Sequence, residues 1–137
     1  MASPKKISLL DFPFNKVLKL ENPRFENGHC ELTMVVRNEL LRPYGLLHGG
    51  ACVALADSAM GMATRSSCPE GFDVLTMQLN MNFIRPAKEA DTLIATADVQ
   101  HHGRKTMVVT CKVHNQSGDL IATASSTLMF VPLHASK

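Results

Sequence analysis

The sequence predicts an α+β fold in which one long helix lies across the concave face of an antiparallel sheet. Three observations lead there. After Gly49-Gly50, the run Ala51 to Thr64 is small and apolar, with Cys52, Val53, Leu55, Ala56, Ala59, Met60 and Ala63 covering more than one helical face. Such a helix is enclosed on most sides rather than amphipathic. Beyond it, apolar and polar residues alternate strictly through several segments, the mark of strands with one buried face. Those segments are joined by short turns, which pair neighbours antiparallel. Two strands before the helix and four after it leave one helix for one sheet, so it covers a single face. With 137 residues the chain is expected to be one domain over 1–137, with its core at about 14–132, burying roughly two-thirds of its unfolded surface.

Taken in order, residues 7–12 read as a short helix or turn packed at one edge. Phe14 to Leu20 alternates loosely and reads as a first strand. Asn22-Pro23 is a turn signal and Glu26-Asn27-Gly28 a second, with Asn27-Gly28 fitting a tight hairpin. Cys30, Leu32, Met34 and Val36 then share one face of a strand. Asn38 to Leu47 is a transition broken by Pro43 and Gly45. The helix spans about Gly49 to Ser67 and is ended by Cys68-Pro69-Glu70-Gly71. Leu75, Met77, Leu79, Met81 and Phe83 alternate with Thr76, Gln78, Asn80 and Asn82, and Arg85-Pro86-Ala87 closes that strand. Leu93 to Val99, Met107 to Val113 and Leu120 to Val131 complete the sheet.

Charge and composition exclude several function classes. A net charge of +2 with scattered Lys and Arg, one Tyr and no Trp, provides neither the basic footprint nor the stacking platform of a nucleic-acid binder. The apolar run at Ile7-Ser8-Leu9-Leu10 is too short for a signal peptide, and no window is long enough to span a membrane. Cys30, Cys52, Cys68 and Cys111 have no paired spacing and read as free thiols of a cytoplasmic protein. The last strands are apolar on both faces, so a second subunit is expected to cover a face or an edge, with a monomer as the alternative.

One stretch carries chemistry. Two glycines open the helix, leaving backbone N–H groups aimed past its N-terminus, and Asp57 interrupts an apolar run that has no structural use for an acid. Together they read as a carbonyl-binding helix end with a carboxylate nearby.

The residues Gly45-Leu46-Leu47-His48-Gly49-Gly50, Leu55-Ala56-Asp57 and Gln78-Leu79-Asn80-Met81-Asn82-Phe83-Ile84-Arg85-Pro86-Ala87, with Gly103-Arg104 and Gly118-Asp119-Leu120-Ile121-Ala122, resemble the hotdog-fold acyl-CoA thioesterases of the PaaI-like type over about residues 14 to 132. His-Gly-Gly with Asp nine residues after the His is the specific part. The resemblance implies a hotdog fold, a homodimer joined edge to edge, commonly a homotetramer of two such dimers, and sites built from both chains. It places the thioester oxygen on the Gly49 N–H, with Gly50 permitting close approach, the catalytic carboxylate on Asp57 of the other protomer, and a water-positioning hydroxyl on Thr76. The substrate implied is an acyl- or aryl-CoA; no further cofactor and no metal is implied.

The physics agrees. Thioester hydrolysis puts negative charge on the carbonyl oxygen, which free helix-terminal amides stabilise without reorganising. A single carboxylate can serve as general base on water or attack directly, since the coenzyme A thiolate leaves readily. From His48 to Asp57 the helix rises about 13 Å, too far for both ends to grip one carbonyl, so they are expected to come from different subunits.

Competing readings stand beside these. His48 is expected to fix the helix start in preference to moving protons. Asp57 has a structural alternative in pairing with an arginine. Asn80 and Asn82 fit a polar strand face, and His101, His102 and His114 lack partners at metal-ligand spacing. Arg85, Arg104 and Lys105 sit at strand ends, as solvated charges or as holders of the coenzyme A phosphates. Relatives often carry Asn six residues before the motif His; here Arg42 stands there, with the charge to meet an acyl carboxylate or a phosphate, while Asn38 four residues earlier substitutes only if the loop folds differently. Leu46, Leu47, Met60, Met62 and Met77 are candidate apolar pocket residues. A hotdog hydratase or dehydratase, and a non-catalytic acyl-CoA-binding module, remain alternatives. The first needs a different acid–base arrangement, and the second has no use for Asp57.

Overall fold

Six strands form one antiparallel sheet, wrapped on its inner face around a single long helix, in the computed structural model, which describes residues 12–133. The order along the chain is α1 (Pro13–Leu18), β1 (Glu21–Glu26), β2 (His29–Val35), a one-turn 3-10 helix (Asn38–Leu40), α2 (Gly49–Arg65), β3 (Phe72–Phe83), β4 (Thr92–His102), β5 (Thr106–His114) and β6 (Leu120–Pro132). Across the sheet the order is β1-β2-β4-β5-β6-β3. The fold class is therefore α+β, as the periodicities predict.

The register explains the core. Cys30, Leu32 and Met34 lie opposite Ala97, Ala95 and Leu93. Ala95 and Ala97 lie opposite Val113 and Cys111, which lie opposite Ala122 and Ala124. All face inward, as period-2 alternation requires. Small residues on β4 and β6 let α2 approach the sheet closely, and Leu55, Ala56, Ala59, Met60 and Ala63 of α2 are fully buried against it. Asn27 and Gly28, at φ of 48° and 82°, make the tight β1–β2 turn that their residue types favour.

Three expectations are corrected. Phe14 to Leu20 is not a strand but α1 with its cap. Pro13 starts the helix where its missing N–H costs nothing, and Lys19 ends it at φ 54°. Arg37 donates to the Leu18 carbonyl at 3.0 Å and to the Val17 carbonyl, capping the short helix from outside the segment. Asn22-Pro23 is not a turn but part of β1, where Asn22 at φ 50° and a register shift between Glu21 and Arg24 make a bulge; proline is tolerated on such an edge strand. The outer face of the last strands is not apolar, carrying Thr96, Asp98, Thr110 and Lys112. The expected short element at 7–12 lies, apart from Phe12, outside the described residues.

Exposed apolar surface is found instead on the edge strand β3. One side of its 12 residues pairs with β6, and the other closes the order of the sheet. Leu75, Met77 and Phe83 are 54%, 58% and 57% exposed. A long apolar edge of this kind is what isolated sheets avoid.

A candidate active site in two halves

The first half is the N-terminus of α2. His48 is its N-cap, and its Nδ1 accepts from the Gly50 N–H at 2.8 Å. A Cβ on residue 50 would lie 2.9 Å from that nitrogen, so Gly50 is what allows the histidine to cap. His48 thus fixes the helix start. The neighbouring Gly49 N–H meets no acceptor among the described residues, and a Cβ there would lie 3.3 Å from the Phe83 ring. Gly49 opens onto a groove of about 320 Å³, lined also by Arg42, Leu46, Leu47, Phe83 and Arg85. Cys52 borders it too, but burial pushes its thiol up to about 11, which keeps it protonated and a poor nucleophile at neutral pH.

The groove is held from behind. Leu47 N–H bonds to the Ala87 carbonyl at 2.8 Å, and the turn after Ala87 is fixed by the buried Asp91. Its carboxylate accepts from the Lys88 N–H at 3.0 Å and from the Gln116 amide at 2.9 Å. These bonds, the backbone one foremost, hold the carboxyl below its usual 3.8 against the opposing effect of burial.

The second half lies eight residues along α2, roughly 12 Å of rise away. Asp57 is half-buried, and its Oδ1 accepts from the Thr76 hydroxyl of β3 at 2.8 Å. No arginine pairs with it among the described residues. Arg65, in the same cavity, is taken up by Asp73 at 2.8 Å. That cavity, about 370 Å³, is separate from the Gly49 groove.

The match of residues 44–122 to the family model described as the thioesterase superfamily covers more than half of the chain. The chain belongs to the thioesterase superfamily. Acyl-coenzyme A thioesterase PaaI of Escherichia coli is 32% identical to it over 107 residues, 78% of this chain and 74% of that protein. The structure of E. coli PaaI, from the phenylacetic acid degradation operon, superposes with a TM-score of 0.83 at 27% identity, covering 93% of this chain and 88% of the other. A hypothetical thioesterase from Streptococcus pneumoniae, solved with coenzyme A, gives 0.83 at 28% identity, with 93% and 100% covered. The fold is the hotdog fold, and the enzyme is a thioester hydrolase.

On this thioesterase, the residues singled out from sequence fall into three places. Gly49, His48, Gly50, Arg42 and Arg85 surround the first half, with Arg85 also donating to the Leu120 carbonyl at 3.0 Å. Asp57 and Thr76 make the second. Arg104 and Lys105 lie in the β4–β5 turn beside Phe130, at the opposite end of the sheet from the Gly49 groove. Asn38 begins the 3-10 helix and does not line the groove. Of the candidate pocket residues, Leu46 and Leu47 line the groove and Met62 the Asp57 cavity, whereas Met60 is core and Met77 sits on the exposed edge. Sequence reasoning missed the tie between Ser58 and Asn15, whose side chains bond at 3.0 Å; Ser58 following Asp57 directly was the available signal.

Proposed function

We propose that the protein hydrolyses acyl-CoA thioesters in a homodimer, with Asp57 of one subunit and the Gly49 N–H of the other acting on the same carbonyl. The observation that carries this reading is where β3 meets each half. Thr76, near one end of the edge strand, holds Asp57, and Phe83, at the other end, abuts Gly49. Antiparallel pairing of two β3 edges about a twofold axis centred between those residues lays Thr76 of each subunit beside Phe83 of the other. The pairing covers the exposed apolar edge and joins the two half-sites. The same twofold brings the Arg104 and Lys105 turn toward the partner's groove, where Arg42 and Arg85 already stand, giving the phosphates of coenzyme A four cations. A tetramer of two such dimers follows the pattern that the sequence resembles.

In the reaction, Asp57 takes a proton from water as general base, or attacks the carbonyl carbon to give an anhydride that water then opens. Thr76 fixes the carboxylate for either course. The Gly49 N–H receives the developing oxyanion, and coenzyme A leaves as its thiolate. Four free cysteines are compatible with a cytoplasmic setting, where thiols stay reduced.

A panel of acyl- and aryl-CoA thioesters with detection of released thiol, run on the unsubstituted protein and on Asp57→Ala, tests the reading. Turnover that disappears in Asp57→Ala is expected; no turnover of any thioester by the unsubstituted protein contradicts it. In the same assay, Arg42→Asn and Arg42→Ala report whether Arg42 meets substrate, and unchanged constants in both remove it from the groove's function.

A further inference from the structure

We propose that α1 is the acyl-selecting wall of the Asp57 cavity, and that Phe14 is the residue against which an apolar, ring-bearing acyl group packs. The inference rests on the role proposed for Asp57. The acyl group hangs from the carbonyl carbon at which Asp57 acts, and coenzyme A leaves on the side of the Gly49 groove. The acyl group must therefore extend into the separate cavity that contains Asp57.

The lining of that cavity, about 370 Å³, is mostly apolar, with Asp57, Thr76, Arg65 and the mutually bonded Ser58 and Asn15 as its polar side chains. Asp57 and Thr76 form one end. Arg65 closes the other, and its charge is already committed: Asp73 accepts from it at 2.8 Å, and the guanidinium lies 4.7 Å over the Phe12 ring. An acyl group carrying its own carboxylate finds no free cation there among the described residues. The apolar part of the wall is Phe12, Phe14, Met62, Val74, Leu75 and Leu128. Gly61, about one turn beyond Asp57 on α2, contributes to the wall without a side chain and keeps the space open.

Phe14 is displayed there by an anchor made for the purpose. The Ser58 hydroxyl, adjacent to Asp57 on α2, donates to Asn15 Oδ1 at 3.0 Å. Asn15 and Leu18 are the buried residues of α1. They pin the helix while Phe14, 58% exposed, stays at the cavity rim with no role in the core. An exposed aromatic ring on a pinned helix, facing a mostly apolar cavity, offers edge-to-face contact to a flat acyl group. α1 also lies outside residues 44–122, which match the family model.

The test is steady-state kinetics of the full-length protein with benzoyl-CoA, hexanoyl-CoA and acetyl-CoA, on the unsubstituted enzyme, Phe14→Ala and Phe14→Leu, with Tm recorded for each. Phe14→Ala is expected to raise KM for benzoyl-CoA about tenfold, since it removes both the buried area and the ring contact. Its kcat should stay within about twofold, and both constants for acetyl-CoA should be unchanged. Phe14→Leu should recover most of the loss with hexanoyl-CoA but little with benzoyl-CoA. Equal losses on all three substrates would make α1 a support of the fold only and overturn the inference. A change in oligomeric state with selectivity unmoved would assign Phe14 to a subunit contact and overturn it too. If thioesters are turned over normally and Phe14→Ala changes nothing, the inference fails and the thioesterase reading stands. If the unsubstituted protein turns over none, both fail.

Discussion

The two functional stretches of α2 are built differently. At its N-terminus the donor is completed within the subunit: His48 caps the helix, Gly50 makes room for the imidazole, and the Gly49 N–H, with no acceptor among the described residues, borders a groove. Eight residues on, Asp57 has one side-chain partner among the described residues, Thr76, on an edge strand of the sheet. A preorganised donor can be finished locally because the helix supplies it. In the proposed mechanism the base must reach a carbonyl held elsewhere and cannot be finished in this way. The asymmetry is what supports the proposed dimer.

Substitutions can break this comparison or sharpen it. The largest effect is expected at Asp57. Asp57→Asn keeps the shape and the Thr76 bond but not the base, and should lower kcat by about 10²–10⁴-fold. At the other end, Gly49→Pro removes the free N–H at the first helical position, where proline is tolerated and His48 is already extended. A loss of about 10²–10³ in kcat is expected, whereas Gly49→Ala, which crowds Phe83 but keeps the N–H, should cost much less. His48 separates capping from proton transfer. His48→Ala should cost about 1 kcal/mol of stability, and His48→Asn, itself a good cap, should retain most of both stability and rate; a rate that collapses in His48→Asn would make the imidazole chemical. The smallest effect concerns the turn behind the groove. Asp91 is held ionised in the folded state, its carboxyl below 3.8. Its contribution is therefore present at higher pH and lost as pH falls through the lowered native value. Asp91→Asn should lower Tm at neutral pH, with the gap to the unsubstituted protein closing below about pH 3.8.

Local pattern was enough for much of this molecule. Alternation in β2, β4 and β5, the Asn27-Gly28 turn and the small-residue helix are determined by near neighbours and were legible. The helix start and the acid along it stood out too, because a carboxylate amid Ala and Leu is conspicuous; that they act together is the proposal above. What was illegible depends on distant residues. α1 reads as a strand until Arg37, some twenty positions later, caps its end. Asn22-Pro23 reads as a turn until the edge position of β1 makes a bulge harmless. Nor does the sequence show that Arg104 and Lys105 lie at the opposite end of the sheet from Arg85, which depends on how the strands pair.

Mixing the two deficient proteins tests the shared site most directly. Asp57→Asn and Gly49→Pro chains, co-expressed with different tags and assayed together, form mixed dimers in which one site is wholly native and the other wholly defective. With random pairing, recovery to about a quarter of the unsubstituted rate is expected, concentrated in the doubly tagged fraction. Activity in that fraction no higher than in either parent would contradict a site shared between subunits.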